Sequence, residues 1–363
     1  MKVCLYGVFP EEKRLSMELC GQYLEQGLRC ENLAEVKLHV PAFHRYLETF
    51  SKSPALKKID VLINRHFTYE LPDRKKFDVH HVVDHSYGHL VHRLPLERTV
   101  VTCHDLNIYE RMQRDRSLPF QAMCRHILGG LNKARWIICD SQFTAEALAK
   151  SELAKGAQVT VVHLGLASNF QVLPTENLLS ISKRFRLPDA PKVIHVGDCF
   201  DRKNIEVLLM AVHRLKIHLV KVGGQFSESQ QKLIKDFNLD SQITHLHGVN
   251  IEDLVGLYNL ADLCIFPSWL EGFGFPVLEA MACGTPVVAS NRSSVPELVG
   301  GAGLLADPAD AEAFVAQSLR VLNDQGVREN LIEKGLQRVQ QFTWANHARQ
   351  VCAFYDRVLE SIR

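Results

Sequence analysis

No stretch of the 363-residue chain approaches the roughly 18 uninterrupted apolar residues that span a bilayer. The N-terminal run Met1-Lys-Val-Cys-Leu-Tyr-Gly-Val-Phe-Pro10 has no small-residue cleavage site, so it reads as a first buried strand and not as a signal peptide. The net charge is +1, from 42 Lys and Arg against 41 Asp and Glu, which argues against a nucleic-acid binder with a basic face. The ten cysteines include no Cys-x-x-Cys pair. Cys4, Cys103, Cys139 and Cys264 lie inside apolar runs as small hydrophobes, the usage expected of thiols in a reducing cytoplasm. Basic residues are slightly denser in the first half, at Lys57-Lys58, Arg74-Lys75-Lys76, Arg111, Arg114 and Arg116. A solvated surface accounts for them, with weak peripheral contact to anionic lipid headgroups at the inner face of a membrane as the alternative.

What the sequence does hold is rhythm. Short β-rich apolar runs alternate with longer amphipathic stretches, the pattern of βαβ units and parallel sheets. In the first half the runs are Val3–Val8, Ile59–Ile63, Val79–Val83, Thr99–Cys103, Trp136–Cys139 and Val159–Val162. The pattern pauses over about 166–190 and restarts with Lys192–Val196, Ile217–Val222, Ile243–His247, Leu263–Phe266, Pro286–Ala289 and Gly303–Leu305. This predicts two successive doubly wound α/β domains, at about 1–170 and 171–344. A final amphipathic helix over about 345–363, with Val351, Phe354, Tyr355, Val358 and Leu359 on one stripe, is expected to pack back on the first domain. Open α/β sheets bind ligands beyond the carboxyl ends of their strands, so two such domains facing a cleft suit the joining of two substrates.

The most informative stretch is Glu271-Gly272-Phe273-Gly274-Phe275-Pro276-Val-Leu-Glu279, directly after the run Leu263–Phe266. Pro276 fits the first turn of a helix that Gly284 stops, and the helix start offers N–H groups and a positive dipole end to an anion. Carboxylates such as Glu271 and Glu279 accept hydrogen bonds from vicinal hydroxyls. A Gly-rich turn alone is common, and single glutamates on helices are mostly solvated. Two carboxylates, two glycines and a proline in one loop are not explained that way. A second element, His195-Val-Gly197-Asp-Cys-Phe-Asp-Arg202-Lys203-Asn204, sets two cations where a helix begins, which the macrodipole disfavours unless an anion joins them. A third is the strand end Val100-Val-Thr-Cys-His104-Asp105.

These residues resemble glycosyltransferase family 4, retaining enzymes of the GT-B fold, whose signature is Glu, seven residues, Glu. Ala280-Met-Ala-Cys-Gly-Thr-Pro-Val-Val-Ala-Ser290 and Val295-Pro-Glu-Leu298 extend the resemblance, which covers nearly all of 192–345 and is looser before residue 98. It implies that Glu271 contacts the transferred hexose and Glu279 the nucleotide ribose. Backbone amides of Gly272, Phe273, Gly274 and Phe275 would meet sugar hydroxyls and phosphates. Arg202 and Lys203 would neutralise the diphosphate leaving group in place of a metal; consistently, no Asp-x-Asp occurs in the chain. His104 would contact the transferred sugar, with Asp105 beside it on the acceptor side. Val249, in the loop His247-Gly-Val-Asn250, would read the nucleobase. The family's Gly-Gly after the first strand is reduced here to Gly7, which leaves the acceptor contacts open.

The expected activity is hexose transfer from a nucleotide-sugar to a hydroxyl of a glycan or lipid-linked acceptor, with no metal or other cofactor. The Arg-Lys-Asn form resembles mannosyltransferase-like members and favours GDP-mannose over a UDP-sugar. A non-hydrolysing sugar-nucleotide epimerase and a non-catalytic nucleotide-sugar-binding subunit are the alternatives. The cluster His80, His81, His85, His89 and His92 would present a metal-ligating face only on a helix over 81–89. Val79–Val83 reads as a strand and Gly88 interrupts, so Asp84–His89 is expected to line the acceptor side instead.

Overall fold

A computed structural model describes residues 1–50 and 53–363 of the chain. It divides into two compact units: residues 1–165 with 344–363, and residues 166–343. Each is built on a six-stranded, all-parallel sheet. Among the described residues no helix is long and apolar enough to cross a membrane.

The first sheet holds β1 (Lys2–Tyr6), β2 (Glu35–His39), β3 (Val79–Val82), β4 (Thr99–Cys103), β5 (Trp136–Cys139) and β6 (Gln158–Val161), in the spatial order β2-β1-β3-β4-β5-β6. Both faces are covered. Cys4, Tyr6, Val82, Val101 and Ile137 point into one core, while their neighbours Val3, Leu5, Val83, Val100 and Ile138 point into the other. That two-sided burial is why the inner strands read as continuous apolar runs and not as alternating ones. The helix Trp344–Glu360 belongs to this unit: Ala348, Val351, Phe354, Tyr355 and Val358 join Leu24 and Leu28 of the helix Leu15–Cys30 over the second core. The Tyr355 hydroxyl meets His81 Nδ1 at 2.6 Å across this packing.

Two expectations fail here. Ile59–Ile63 is not a strand; it lies inside the helix Pro54–His66, started by the Ser53 cap and Pro54. Four apolar residues in a window of five cannot by themselves separate a strand from a helix. The helix wins because Asp60 and Asn64, one turn apart, turn inward. Asp60 accepts from the amides of Leu47 and Glu48, and Asn64 bonds the backbone of His44. The sheet's remaining place is taken by β2, Glu-Val-Lys-Leu-His, an edge strand whose alternation carries only two aliphatic residues. The pause over 166–190 also holds a helix, Thr175–Arg184.

The second sheet holds β7 (Lys192–Gly197), β8 (His218–Gly223), β9 (Ile243–Leu246), β10 (Leu263–Phe266), β11 (Val287–Ser290) and β12 (Leu304–Ala306), in the order β12-β11-β10-β7-β8-β9. Strand order reverses between β7 and β10 in this unit, and between β1 and β3 in the first. Those reversals are the crevices where doubly wound sheets take ligands.

The 3₁₀ segment His85–Arg93 packs against the helix Leu118–Lys133 by direct backbone approach. A Cβ added at Gly130 would lie 1.9 Å from the Gly88 carbonyl oxygen, closer than any contact can be. Gly130→Ala is therefore expected to lose about 1–3 kcal/mol or more of stability through forced overpacking. A melting temperature equal to that of the unsubstituted chain would contradict this packing.

Candidate functional site

In the second unit the functional side chains converge on the reversal point. β7 ends at Gly197, and the chain turns through Asp198–Phe200 and a 3₁₀ turn, Asp201–Lys203, into the helix Ile205–Leu215. Asn204, in the left-handed region at φ 54°, closes this turn. Its amide donates to the carbonyls of Pro267 (3.0 Å) and Pro308 (2.7 Å), pinning the turn onto the loop that follows β10. The Trp269 amide donates back to the Arg202 carbonyl at 2.8 Å. The two loops are thus one stitched surface.

On that surface Lys203 Nζ donates to Glu271 Oε1 at 2.7 Å and Arg202 to Glu271 Oε2 at 3.3 Å. The Lys203 and Glu271 side chains are each only 8% exposed, whereas Arg202 keeps 36%. Lys203 Nζ also sits 5.0 Å over the Phe266 ring. Glu271 is held from behind: its amide donates to Ser293 Oγ, and Ser294 Oγ donates to the carbonyls of Glu271 and Phe273. Beneath lies a further cation. Lys221 is fully buried and donates to the carbonyls of Gly197 (2.6 Å) and Val222 (3.1 Å), and burial pushes its pKa down. His195 is buried against Phe266 with neither ring nitrogen bonded, and burial, then Lys221 and Lys203, keep it neutral.

Beyond Glu271 the chain enters the helix Phe275–Ala282 through Gly274 at φ 115°, a conformation that favours glycine. No side chain caps this helix, and Pro276 stands in its first turn. Phe273 is buried with its ring against Phe275 and Phe342. Glu279 accepts from the Tyr258 hydroxyl at 2.7 Å. Burial lifts its pKa to about 7, with Tyr258 and Lys203 pulling the other way. Val249 is partly exposed in the short loop before the helix Ile251–Leu260, whose Asn250 cap accepts from the Asp253 amide.

The first unit carries a separate polar cluster. His104, after β4, is 6% exposed, and both ring nitrogens are taken: Nδ1 lies 2.5 Å from Asp140 Oδ2 and Nε2 2.8 Å from the Val83 carbonyl. Two acceptors require two donated protons, so this ring is an imidazolium. Burial opposes that charge, but the charge and hydrogen bond of Asp140 outweigh it and hold the pKa at about 9. The resemblance gives His104 to the transferred sugar; the structure places it as a fixed, buried cation. Asp105 next to it keeps a side chain 33% exposed. Gly7 lies under the edge strand, where a Cβ would come within 2.8 Å of Val40.

The histidines of 80–92 disperse. His80 meets the Tyr6 hydroxyl, His81 meets Tyr355 and Thr102, His89 meets the Arg65 carbonyl and His92 the His126 carbonyl. Among the described residues no group of three or more His, Cys, Asp or Glu is arranged to hold a metal ion. Sequence reasoning passed over Tyr258, Ser293, Ser294, Lys221 and Asp140. Only Asp140 carried a local signal, a carboxylate at a strand end beside the Ser141 helix cap.

A family model described as glycosyl transferases group 1 matches residues 180–338. The chain is 32% identical over 296 residues to O-antigen chain mannosyltransferase B of Escherichia coli, covering 78% of this chain and 77% of that protein. It is 29% identical to the serotype-specific mannosyltransferase WbdA of Escherichia coli over 73% of this chain, but spans only 34% of that longer protein. Among solved structures, Anabaena HepE in complex with UDP and glucose superposes with a TM-score of 0.73 at 18% identity, over 98% of this chain and 100% of that one. Sucrose-phosphate synthase from Thermosynechococcus elongatus gives 0.72 at 22% identity, over 99% and 100%. At those identities the structures speak for a shared GT-B fold.

The His104–Asp140 pair sets a pH dependence of stability. With its folded pKa raised from 6.5 to about 9, His104 contributes stability that is complete below pH 6.5 and lost as pH rises through about 9. Urea unfolding at pH 6 and pH 9.5 should show that loss in the unsubstituted chain and much less of it in Asp140→Asn. An equal loss in both would refute the pairing.

Proposed function

The chain belongs to the group 1 glycosyltransferases, and from that premise we propose that it moves mannose from GDP-mannose to a hydroxyl of a glycan or lipid-linked acceptor, with retention and without a metal. The observation that carries this reading is the Lys203–Glu271–Arg202 arrangement at the reversal between β7 and β10. Two cations hold the carboxylate that leads into an uncapped helix start, with Lys221 buried behind the end of β7, and a diphosphate there would gain both from the charges and from the backbone amides. That is the service a divalent cation gives elsewhere, and it supports transfer without one.

In the proposed reaction Arg202 and Lys203 take the diphosphate, which releases Glu271 to hydrogen-bond the hexose and to stabilise positive charge at its anomeric carbon. The bond from that carbon to the diphosphate oxygen breaks, and the acceptor oxygen bonds to it from the same face. The departing diphosphate accepts the acceptor's proton. Glu279, on the first helix after the loop, would hold the ribose, and Val249 the base. His104 would present a fixed positive charge near the sugar, acting through the field of its imidazolium. The mannosyltransferase relatives support the choice of sugar, while HepE, solved with UDP and glucose, makes a UDP-sugar the competitor. Neither the epimerase nor the non-catalytic reading gains support from these relatives. A cytoplasmic enzyme working at the inner face of a membrane fits a lipid-linked acceptor.

Incubation with GDP-mannose, UDP-glucose and UDP-N-acetylglucosamine in EDTA should release GDP from the first, faster when a mannoside acceptor is present. Lys203→Met and Glu271→Gln should each lower kcat/KM roughly a hundredfold or more, the size of loss that removing one transition-state contact brings. Turnover of UDP-sugars alone would overturn the donor, inhibition by EDTA the metal independence, and full activity in either variant the site.

A further inference from the structure

The first unit's crevice, at the reversal between β1 and β3, holds a run of charged groups that the donor chemistry does not use. Arg14 meets Asp84 Oδ2 at 2.7 Å, and Asp84 is fully buried. His85, 3% exposed, lies 3.6 Å from Asp84 through Nδ1 and 3.7 Å from Asp105 through Nε2. The run goes inward to outward: Asp84 and His85 are enclosed, while Arg14 and Asp105 each keep about a third of the side chain exposed.

The protonation of His85 follows from its partners. The His104 backbone amide donates to His85 Nδ1 at 3.4 Å, so in the neutral ring the proton sits on Nε2. Burial outweighs the nearby carboxylates and keeps the ring neutral. That Nε2–H is buried and has no partner within bonding distance. Buried donors are rarely left unpaired, because the loss of water is not recovered. A carboxylate oxygen near it is Asp105 Oδ1, at 3.7 Å about half an ångström beyond bonding range. Asp105 accepts from the Asn107 amide through Oδ1 and from the Asn107 side chain through Oδ2, which fixes the carboxylate while a third of the side chain stays exposed. Arg14, also donating to Ser86 Oγ at 2.6 Å, adds a cationic donor at the other end of the run. An exposed carboxylate and an exposed guanidinium on one crevice suit a polyol, each hydroxyl of which both donates and accepts.

We propose that Asp105, aimed by the His85 Nε2–H, binds hydroxyls of the acceptor sugar in the first unit, and that His85 is the positioning residue of this subsite. The inference rests on the transferase reading. It takes the acceptor-side place that the resemblance implies for Asp105 and goes beyond it in giving His85 the task of aiming that carboxylate. A rival role is open to the same atoms: Asp105 as nothing more than the cap of the turn at Asn107. That role predicts lost stability and no selective change in kinetics.

Steady-state kinetics with GDP-mannose as donor and octyl α-mannoside as acceptor probe separate the two. Asp105→Asn keeps the volume and the turn but removes the charge, and should raise acceptor KM by about tenfold relative to donor KM, the effect of one charge-assisted hydrogen bond. His85→Leu should do the same, whereas His85→Gln, which can place an N–H near the Nε2 position, should recover most of the loss. The double variant Asp105→Asn with His85→Leu should be no worse than Asp105→Asn alone. Donor and acceptor KM rising together, an unchanged acceptor KM in Asp105→Asn, or no recovery in a folded His85→Gln would each overturn the proposal. A wild-type enzyme that releases no GDP from GDP-mannose under any acceptor condition marks failure of the transferase reading itself, a result distinct from the other three.

Discussion

A carboxylate shared by two cations at the ends of β7 and β10 is the constraint around which the second unit is arranged. Lys203 and Glu271 are both nearly enclosed, and a buried ion pair survives only when its geometry is good and its remaining hydrogen bonds are met. The surrounding bonds do that. Asn204 ties the Arg202-Lys203 turn to Pro267 and Pro308, and the serines at 293 and 294 hold the backbone of the Glu271 loop. Losing any of these would free one partner from the other. On the proposed reading the pair is provisional: Glu271 would give up the two cations to an entering diphosphate, one anion exchanged for another without exposing a bare charge.

The first unit solves a different problem with similar materials. Its charged residues are histidines and carboxylates, and burial decides which of them carry a proton. His104 is charged because Asp140 and the Val83 carbonyl accept from both nitrogens, while burial keeps His85, a few ångströms away, neutral and the His104 amide at its Nδ1 leaves the proton on Nε2. The two rings sit with centroids 6.4 Å apart. Neighbouring imidazoles kept in opposite protonation states give the crevice one fixed positive charge and one directed donor. A lone strand-end histidine in the sequence cannot announce that difference, since it depends on residues 36 and 21 positions away.

Legibility in the sequence tracked locality. Among the described residues, eleven of the twelve strands overlap runs that could be read directly, because a sheet buried on both faces writes its inner strands as unbroken β-branched and aliphatic stretches. The twelfth, β2, escaped because an edge strand with one solvated face needs few apolar residues. Ile59–Ile63 misled because a five-residue window fits either period. The loop from Glu271 to Glu279 was legible for the same reason the inner strands were: its glycines, proline and carboxylates are contiguous. What holds that loop, Ser293 and Ser294, and what bonds Glu279, Tyr258 on the helix Ile251–Leu260, come from elsewhere in the chain. Spacing along the chain carries no mark of them; the strand order that makes them neighbours does.

Calorimetric titration of GDP into the unsubstituted chain, Glu271→Gln and Lys203→Met tests the central claim most directly. If Glu271 only occupies the cations until a diphosphate arrives, Glu271→Gln should bind GDP as tightly as the unsubstituted chain or more tightly, while Lys203→Met binds about tenfold or more weakly. Loss of GDP binding in Glu271→Gln to the same extent as in Lys203→Met would contradict it.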